Sequence, residues 1–313
     1  MKRFQKILYV SEGIYDETDG LKQALSQARN NKAELTVLII TPDLPKEMSD
    51  YKDRFEKSVA KEMRASIQKT AEAIEIQAKE IDFSIEIQHN KTPAVTIIQT
   101  VLRESHDLII KEAGTSRDEK GFKALDMQLL RKCPCPVWLY RPITKPRDQI
   151  KVAVAIDPES EEKTADALSQ KMLVLGQSLA ENCSGDLQII SCWDLEYEGF
   201  MRTNAFAPVP EKEIQDAAAR AQHQHYSALQ KIIDKSDIDQ KNAKVQHFRG
   251  KPEESIPKFV KEHQIDILVM GTVARTGIPG WIMGNTSERI VQNLTCSLLA
   301  LKPNGFVSPV KAY

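Results

Sequence analysis

Apolar positions along this chain follow two alternating rhythms. Short runs dense in β-branched and aliphatic residues, such as KILYVSEG (6–13) and AELTVLIITPD (33–43), read as buried strands. Between them lie longer stretches with apolar residues at helical spacing, such as GLKQALSQARNNKA (20–33) and ADALSQKMLVLGQSLAENC (165–183). Strands alternating with amphipathic helices predict an α/β chain, with parallel strands joined by right-handed crossovers and helices on both faces. Gly185 and the pair Asn30–Asn31 fall where helix carboxyl ends are expected.

The pattern occurs twice. KILYVSEG (6–13) is matched by KVAVAIDP (151–158), and AELTVLIITPD by GDLQIISCWD (185–194). FSIEIQHNKTPAVTII (83–98) is matched by AKVQHFRGKPEESIPKF (243–259), HDLIIKEAGTS (106–116) by IDILVMGTVAR (265–275), and CPCPVWLYRP (133–142) by LTCSLLALKP (294–303). Each half carries one longer helical stretch, predicted over 54–80 and 211–235. Matched segments in one order, roughly 160 residues apart, mark a duplication. The halves are placed at 1–142 and 150–303, with a polar, proline-bearing linker at 143–149 and a tail at 304–313. Each half is expected to form a doubly wound, five-stranded parallel sheet. The runs VWLY (137–140) and LLAL (298–301) end the halves as potential exposed edges, so the halves are expected to pack there as an intramolecular pseudo-dimer.

Composition narrows the function classes. The 313 residues carry a formal net charge of −1, so no global field draws nucleic acid or an anionic membrane. No stretch reaches the ~18 apolar residues of a membrane span, and the apolar run near the start is too short for a signal sequence. A cytoplasmic protein is expected. Five sparse cysteines argue against a disulfide framework. Cys133-Pro-Cys135 lacks a second pair or a close histidine to complete a zinc site and reads as packing thiols on one face. His223 and His225 sit two apart on a predicted helix, do not share a face, and read as solvated. Trp193 and Trp281 read as core or rim packing.

Candidate chemistry gathers in the second half. In a doubly wound sheet the ligand crevice lies at the carboxyl ends of the strands, where strand order reverses. Asp157 follows the first strand there, Gly250-Lys251-Pro252 follows the third, and GTVARTGIPGWIMGNTSE (271–288) follows the fourth. The last loop closes on GNTSE, which opens a helix and presents free backbone N–H groups to an anion. These residues resemble the universal stress protein family, whose nucleotide-binding members carry a loop of form G-x2-G-x9-G-(S/T). Gly271 and Gly284 match its first and third glycines, Asp157 the acidic residue that contacts the nucleoside, and Cys192 the adenine-facing position. Gly250-Lys251-Pro252 matches the family's G-x-P. The resemblance covers nearly the whole chain twice and implies strand order 3-2-1-4-5. It also implies a nucleotide site at Asp157, Cys192, Gly250, Lys251, Pro252, Gly271, Arg275, Gly284, Asn285, Thr286 and Ser287.

Two positions depart from the motif: Ala274 replaces the second glycine and Asn285 the Ser or Thr after the third. The first half departs further. Glu112 stands for the first loop glycine, Lys91 for Gly250, and Asp126 at the helix entrance reads as an N-cap. Carboxylates repel a triphosphate, so nucleotide is expected in the second half only. Neither crevice carries an H-x-x-H cluster, a G-x-S-x-G elbow or a G-x4-G-K-[ST] loop, and no catalytic set is expected. The expected function is a non-catalytic, ligand-binding regulatory module of the stress response. It requires no cofactor, with ATP and Mg2+ as the candidate ligand. The alternatives are a lipid-like or other apolar small molecule, covered by the aromatic segment 197–210, or a ligand-free scaffold. The same segment reads alternatively as a loop anchored on the core. A homodimer of whole chains is a further candidate, and the tail is expected to dock along a groove or dangle.

Overall fold

The structure, a computed structural model, describes residues 4–13, 18–43, 45–77, 80–114, 119–159, 165–203, 206–274 and 282–313. The first half contains β1 (Lys6–Ser11), α1 (Thr18–Asn31), β2 (Glu34–Thr41), α2 (Ser49–Ala73), β3 (Phe83–His89), α3 (Pro93–Glu104), β4 (Leu108–Glu112), α4 (Ala124–Lys132) and β5 (Val137–Tyr140). The second contains β6 (Val152–Ala155), α5 (Ala165–Glu181), β7 (Leu187–Trp193), α6 (Glu198–Thr203), α7 (Glu211–Lys235), β8 (Ala243–Arg249), α8 (Pro252–Glu262) and β9 (Ile267–Gly271). A short antiparallel pair of two-residue strands, β10 (Val273–Ala274) and β11 (Ile282–Met283), precedes α9 (Asn285–Asn293) and β12 (Ser297–Leu301).

Strand alternation sets the layers. In β1, Ile7 and Tyr9 face one apolar cluster and Leu8 and Val10 the other; in β9, Ile267 and Val269 oppose Leu268 and Met270 in the same way. The first cluster is closed by α1, α2, α5 and α7 through residues such as Leu25, Ile67, Leu173 and Leu229. The second is closed by α3, α4, α8 and α9 through Ile97, Leu129, Ile256 and Val291. Both faces are therefore covered, as parallel strands with no solvated face require. Among the described residues, no helix is long and apolar enough to cross a membrane.

Within each half the strands are parallel, in the orders β3-β2-β1-β4-β5 and β8-β7-β6-β9-β12. The two separate five-stranded sheets expected from the sequence are one ten-stranded sheet. Antiparallel pairing of Leu298 with Leu139, Leu299 with Trp138 and Ala300 with Val137 joins the halves edge to edge. Two apolar strands, each with an open row of backbone donors and acceptors, satisfy one another in this way. Because the joining pair is antiparallel, the carboxyl ends of the strands lie at opposite ends of the sheet in the two halves.

Two local differences from the sequence reading have physical causes. The long helix of the first half starts at Ser49 and stops at Ala73, short of the predicted 80, where Glu75 turns left-handed with φ +57. Apolar spacing continues past it because Ile76 and Ile81 seal the core from the turn that follows. The tail docks: Ser308 donates to the Lys132 carbonyl, Gln99 donates to the Lys311 carbonyl, and Val310 packs against the second cluster.

Gly176 shows how closely α5 sits on the sheet. A Cβ built there would lie 2.2 Å from Val154 Cγ2, so glycine alone permits this approach. Gly176→Ala should therefore destabilise the fold by about 1–3 kcal/mol despite alanine's better helix propensity. Urea denaturation would show a lower midpoint at an unchanged slope.

Candidate functional site

The carboxyl ends of β6, β7 and β9 open into a cleft of about 570 Å³. Leu168 and Met172 of α5, Ile256 of α8, Met270 of β9 and Ile290 of α9 form an apolar wall. Gly271, Gly284, Asn285, Thr286 and Ser287 form a polar end, with Asp157 and Glu159 on the lip after β6. Cys192 and Pro252 complete the cleft from β7 and α8.

The polar end is built by the start of α9. Gly284 is its N-cap residue, with φ −68 and ψ 145; its N–H donates to the Thr272 carbonyl and its own carbonyl accepts from Glu288 N. Asn285, Thr286 and Ser287 then occupy the first turn, where backbone N–H groups have no intrahelical acceptor and the helix dipole is positive. Ser287 Oγ donates to the Gly271 carbonyl at 3.4 Å, tying this turn to the end of β9. At Gly271 a Cβ would lie 3.4 Å from Leu168 Cδ2, an ordinary contact, so the absent side chain there leaves space and not strain relief. Ala274 lies in the antiparallel ladder with Ile282, extended backbone that has no need of glycine.

On the lip, Asp157 Oδ1 accepts from Glu159 N at 3.1 Å. Burial and then the Asp157 charge push the Glu159 carboxyl above its ordinary range. Burial raises the Cys192 thiol to about 11, so it lines the cleft in its neutral form. Gly250, with φ +132, donates to the Trp193 carbonyl and turns the chain into α8, where Lys251 is N-cap and Pro252 is the first helical residue. Gly250 and Lys251 stand beside the cleft and outside its lining. Arg275, Gly277, Gly280 and Trp281 lie outside the described residues.

The first half builds the same loops from different side chains. Strand register places Lys111 where the second half has Met270, and Glu112 where it has Gly271. Asn90, and not Lys91, holds the register of Gly250, because its N–H donates to Thr41 O as Gly250 donates to Trp193 O. Asp126 is not an N-cap: Lys123 takes that place, and Asp126 is the third residue of α4, 0% exposed. Lys111 Nζ lies 3.1 Å from Asp126 Oδ1 and 2.9 Å from Glu12 Oε1, and donates to the Glu112 carbonyl. Burial opposes the Lys111 charge, but Asp126 and Glu12 outweigh it and hold the ammonium above its ordinary value. The Glu112 carboxylate accepts from Gly20 N at 2.9 Å, occupying the first turn of α1. What remains is a cleft of about 350 Å³ beside Glu12, Asn90, Lys91 and Leu125.

Behind the Cys192 wall lies a pair that the sequence reading missed. His225 is 2% exposed, its Nδ1 is 2.9 Å from His247 Nε2, and it also bonds to the Cys192 backbone. Helical spacing between His223 and His225 gave no hint, because the partner comes from β8. His223 is exposed, as expected. Burial lowers both paired imidazoles below 6.5, and for His247 the neighbouring His225 lowers it further, while Asp157 works against the shift at His225. A folded-state value below the unfolded one favours the neutral ring, so this stabilisation is complete above pH 6.5 and is lost as pH falls. In denaturation across that acid range, His225→Phe should show a shallower loss of stability than the parent.

The described residues of 197–210 belong neither to the cleft lining nor to the apolar core clusters. Tyr197 and Phe200 are 70% and 65% exposed. Glu198 pairs with Arg202 within α6 and with Arg249 of β8, and Arg202 also pairs with Glu211 of α7. Trp193, in contrast, is buried as expected.

Comparisons with known proteins agree with this architecture. The universal stress protein family model matches residues 3–141 and again 151–302. Universal stress protein E of Salmonella typhi is 31% identical over 320 residues, covering 99% of this chain and 98% of its own. Universal stress protein E of Photorhabdus laumondii is 30% identical over 323 residues, covering 100% and 99%. A putative universal stress protein from Pseudomonas aeruginosa superposes with a TM-score of 0.69 at 22% identity, covering 97% of this chain and 95% of that one. One from Archaeoglobus fulgidus gives 0.62 at 16% identity, covering 95% and 98%, and shares the fold. Two matched halves, a doubled sheet and full-length relatives lead to one assignment: this chain belongs to the universal stress protein family, as a tandem of two family domains.

Proposed function

We propose that the chain is a non-catalytic, ligand-binding module of the stress response whose second-half cleft takes an adenine nucleotide. One observation carries the reading. The positions that hold Lys111, Glu112 and Asp126 in the first half hold Met270, Gly271 and Ser287 in the second. The first crevice is occupied by its own ion pairs, and the second is open toward a helix N-terminus. The phosphates would lie between Gly271 and Thr286, on backbone N–H groups and small hydroxyl and amide side chains. Asp157 would accept from a ribose hydroxyl, with the base along the wall of Leu168, Met172 and Ile256. Mg2+ would arrive with the phosphates, since among the described residues no cluster of three or more metal-ligating side chains exists. A volume of about 570 Å³ is in the range of small-molecule sites. Among the described residues the lining offers carboxylates at Asp157 and Glu159 but no histidine or lysine to pair with a nucleophile, which favours binding over turnover.

The apolar wall favours a second reading, a lipid-like ligand with a polar head at α9. Denaturing the purified protein and identifying released small molecules by mass spectrometry separates the two. An adenine nucleotide supports the proposal, and a co-purifying lipid displaces it.

A further inference from the structure

We propose that Cys133 and Cys135 form a redox-modification site, a thiol pair that closes to a disulfide when a small peroxide reaches it. The pair lies at the start of the seam between the halves, away from the nucleotide cleft. Helix α4 ends as Cys133 N–H donates to the Leu129 carbonyl, and Cys133 is extended at φ −70, ψ 133. The chain then bends through 134 and 135 into β5, which brings the two sulfurs to 3.5 Å. A disulfide requires about 2.05 Å, so closure asks for roughly 1.5 Å of sulfur movement.

The second half supplies an internal control. Register places Cys296 where the first half has Cys135, and Leu294 where it has Cys133. Leu294 fills that core position with 0% exposure, so packing alone does not call for a second thiol there. The first half has one, in contact with its neighbour.

A buried cation stands by the pair. Lys302 Nζ donates to the Leu130 carbonyl and to Thr272 Oγ1 and lies 4.6 Å over the Phe306 ring. Burial pulls its ammonium down to about 8, and negative charge on either sulfur would raise it again, so the cation favours a thiolate once one forms. The hydrogen bond to Cys133, with burial behind it, keeps the Cys135 thiol protonated at rest. With hydrogen peroxide as oxidant, one thiol loses its proton and its sulfur attacks the O–O bond, giving a sulfenic acid and hydroxide, which is protonated to water. The second thiol then attacks the sulfenic sulfur; the S–S bond forms, the S–O bond breaks and a second water leaves. Two thiols and one peroxide become one disulfide and two waters, with two electrons passing from sulfur to oxygen. The closed pair would pull on the first residues of β5, the strand that joins β12, and on the cluster where Val310 of the tail packs.

The test treats the full chain with hydrogen peroxide, unfolds it, labels free thiols with N-ethylmaleimide and maps the peptides by mass. The expected peptide spanning 133–135 is unlabelled and lighter by two hydrogens, while Cys296 remains labelled. Prior treatment with a dithiol reductant should restore both labels. In Cys133→Ser or Cys135→Ser, the remaining thiol should be trapped as a sulfenic acid and no disulfide should form. A 133–135 peptide that stays doubly labelled while the half-buried Cys183 and Cys192 are consumed overturns the proposal, as does a disulfide to any other cysteine.

Discussion

Replacing Lys111 with methionine, the residue at the matching position of the second half, should lower folding stability by about 3–5 kcal/mol. The cost comes from what is left behind. Asp126 is 0% exposed and lies 3.1 Å from Lys111 Nζ; without that cation the buried carboxyl loses its ion-pair partner with no water to replace it. Glu12 is one-third exposed and can turn to water, so most of the penalty falls on Asp126. Pairing the change with Asp126→Ser copies the second half at both positions and should recover most of the loss, a strongly non-additive result. Urea denaturation of the three proteins reads this directly. A single variant that costs less than about 1 kcal/mol would show that the ion pairs are not what fills the first crevice.

The second large effect concerns the cleft. Gly271→Glu copies Glu112 into the second half. The new Cβ meets only Leu168 and Met172 at ordinary contact distances, so the fold should hold. Its carboxylate would enter the cleft between α5 and the start of α9, since Leu168 and Met172 are the side chains nearest that position. There it would stand where a phosphate is expected and repel it. Nucleotide affinity should fall by about a hundredfold or more, roughly the effect of one close like charge in a partly desolvated site. Isothermal titration with Mg-ATP measures the loss. Unaltered affinity would move the phosphates away from Gly271.

Much of this architecture is legible in the residues. Alternating β-branched runs and amphipathic stretches carry the parallel strands, and the five repeated segments carry the duplication. Apolar spacing predicts the second long helix over 211–235, and α7 spans Glu211–Lys235. What escaped depends on contacts between distant segments. Apolar runs at 137–140 and 298–301 show two edges, but only hydrogen-bond pairing reveals that they fuse two sheets into one. Asp126 looks like a helix cap because acidic residues favour first turns, and its burial against Lys111 cannot be read from spacing. A one-residue difference in loop length between Lys91 and Gly250 hid the true register, which Asn90 holds. His225 reads as solvated from helical spacing alone because its partner, His247, lies on another element. Of the candidate site, Asp157, Cys192, Pro252, Gly271, Gly284, Asn285, Thr286 and Ser287 meet around one cleft, since strand ends and a helix start are local features. Gly250 and Lys251 do not join them, because the turn into α8 carries them past the lining.

The most direct test is to count nucleotide sites by calorimetric titration of the full chain with Mg-ATP, alone and as Gly284→Val. Gly284 is the buried N-cap of α9, and a branched side chain there would stand between the helix N-terminus and the cleft. The expected result is one site per chain in the parent and none in the variant. Two equal sites in the parent, a site that survives Gly284→Val, or no binding by the parent would contradict a single nucleotide cleft in the second half.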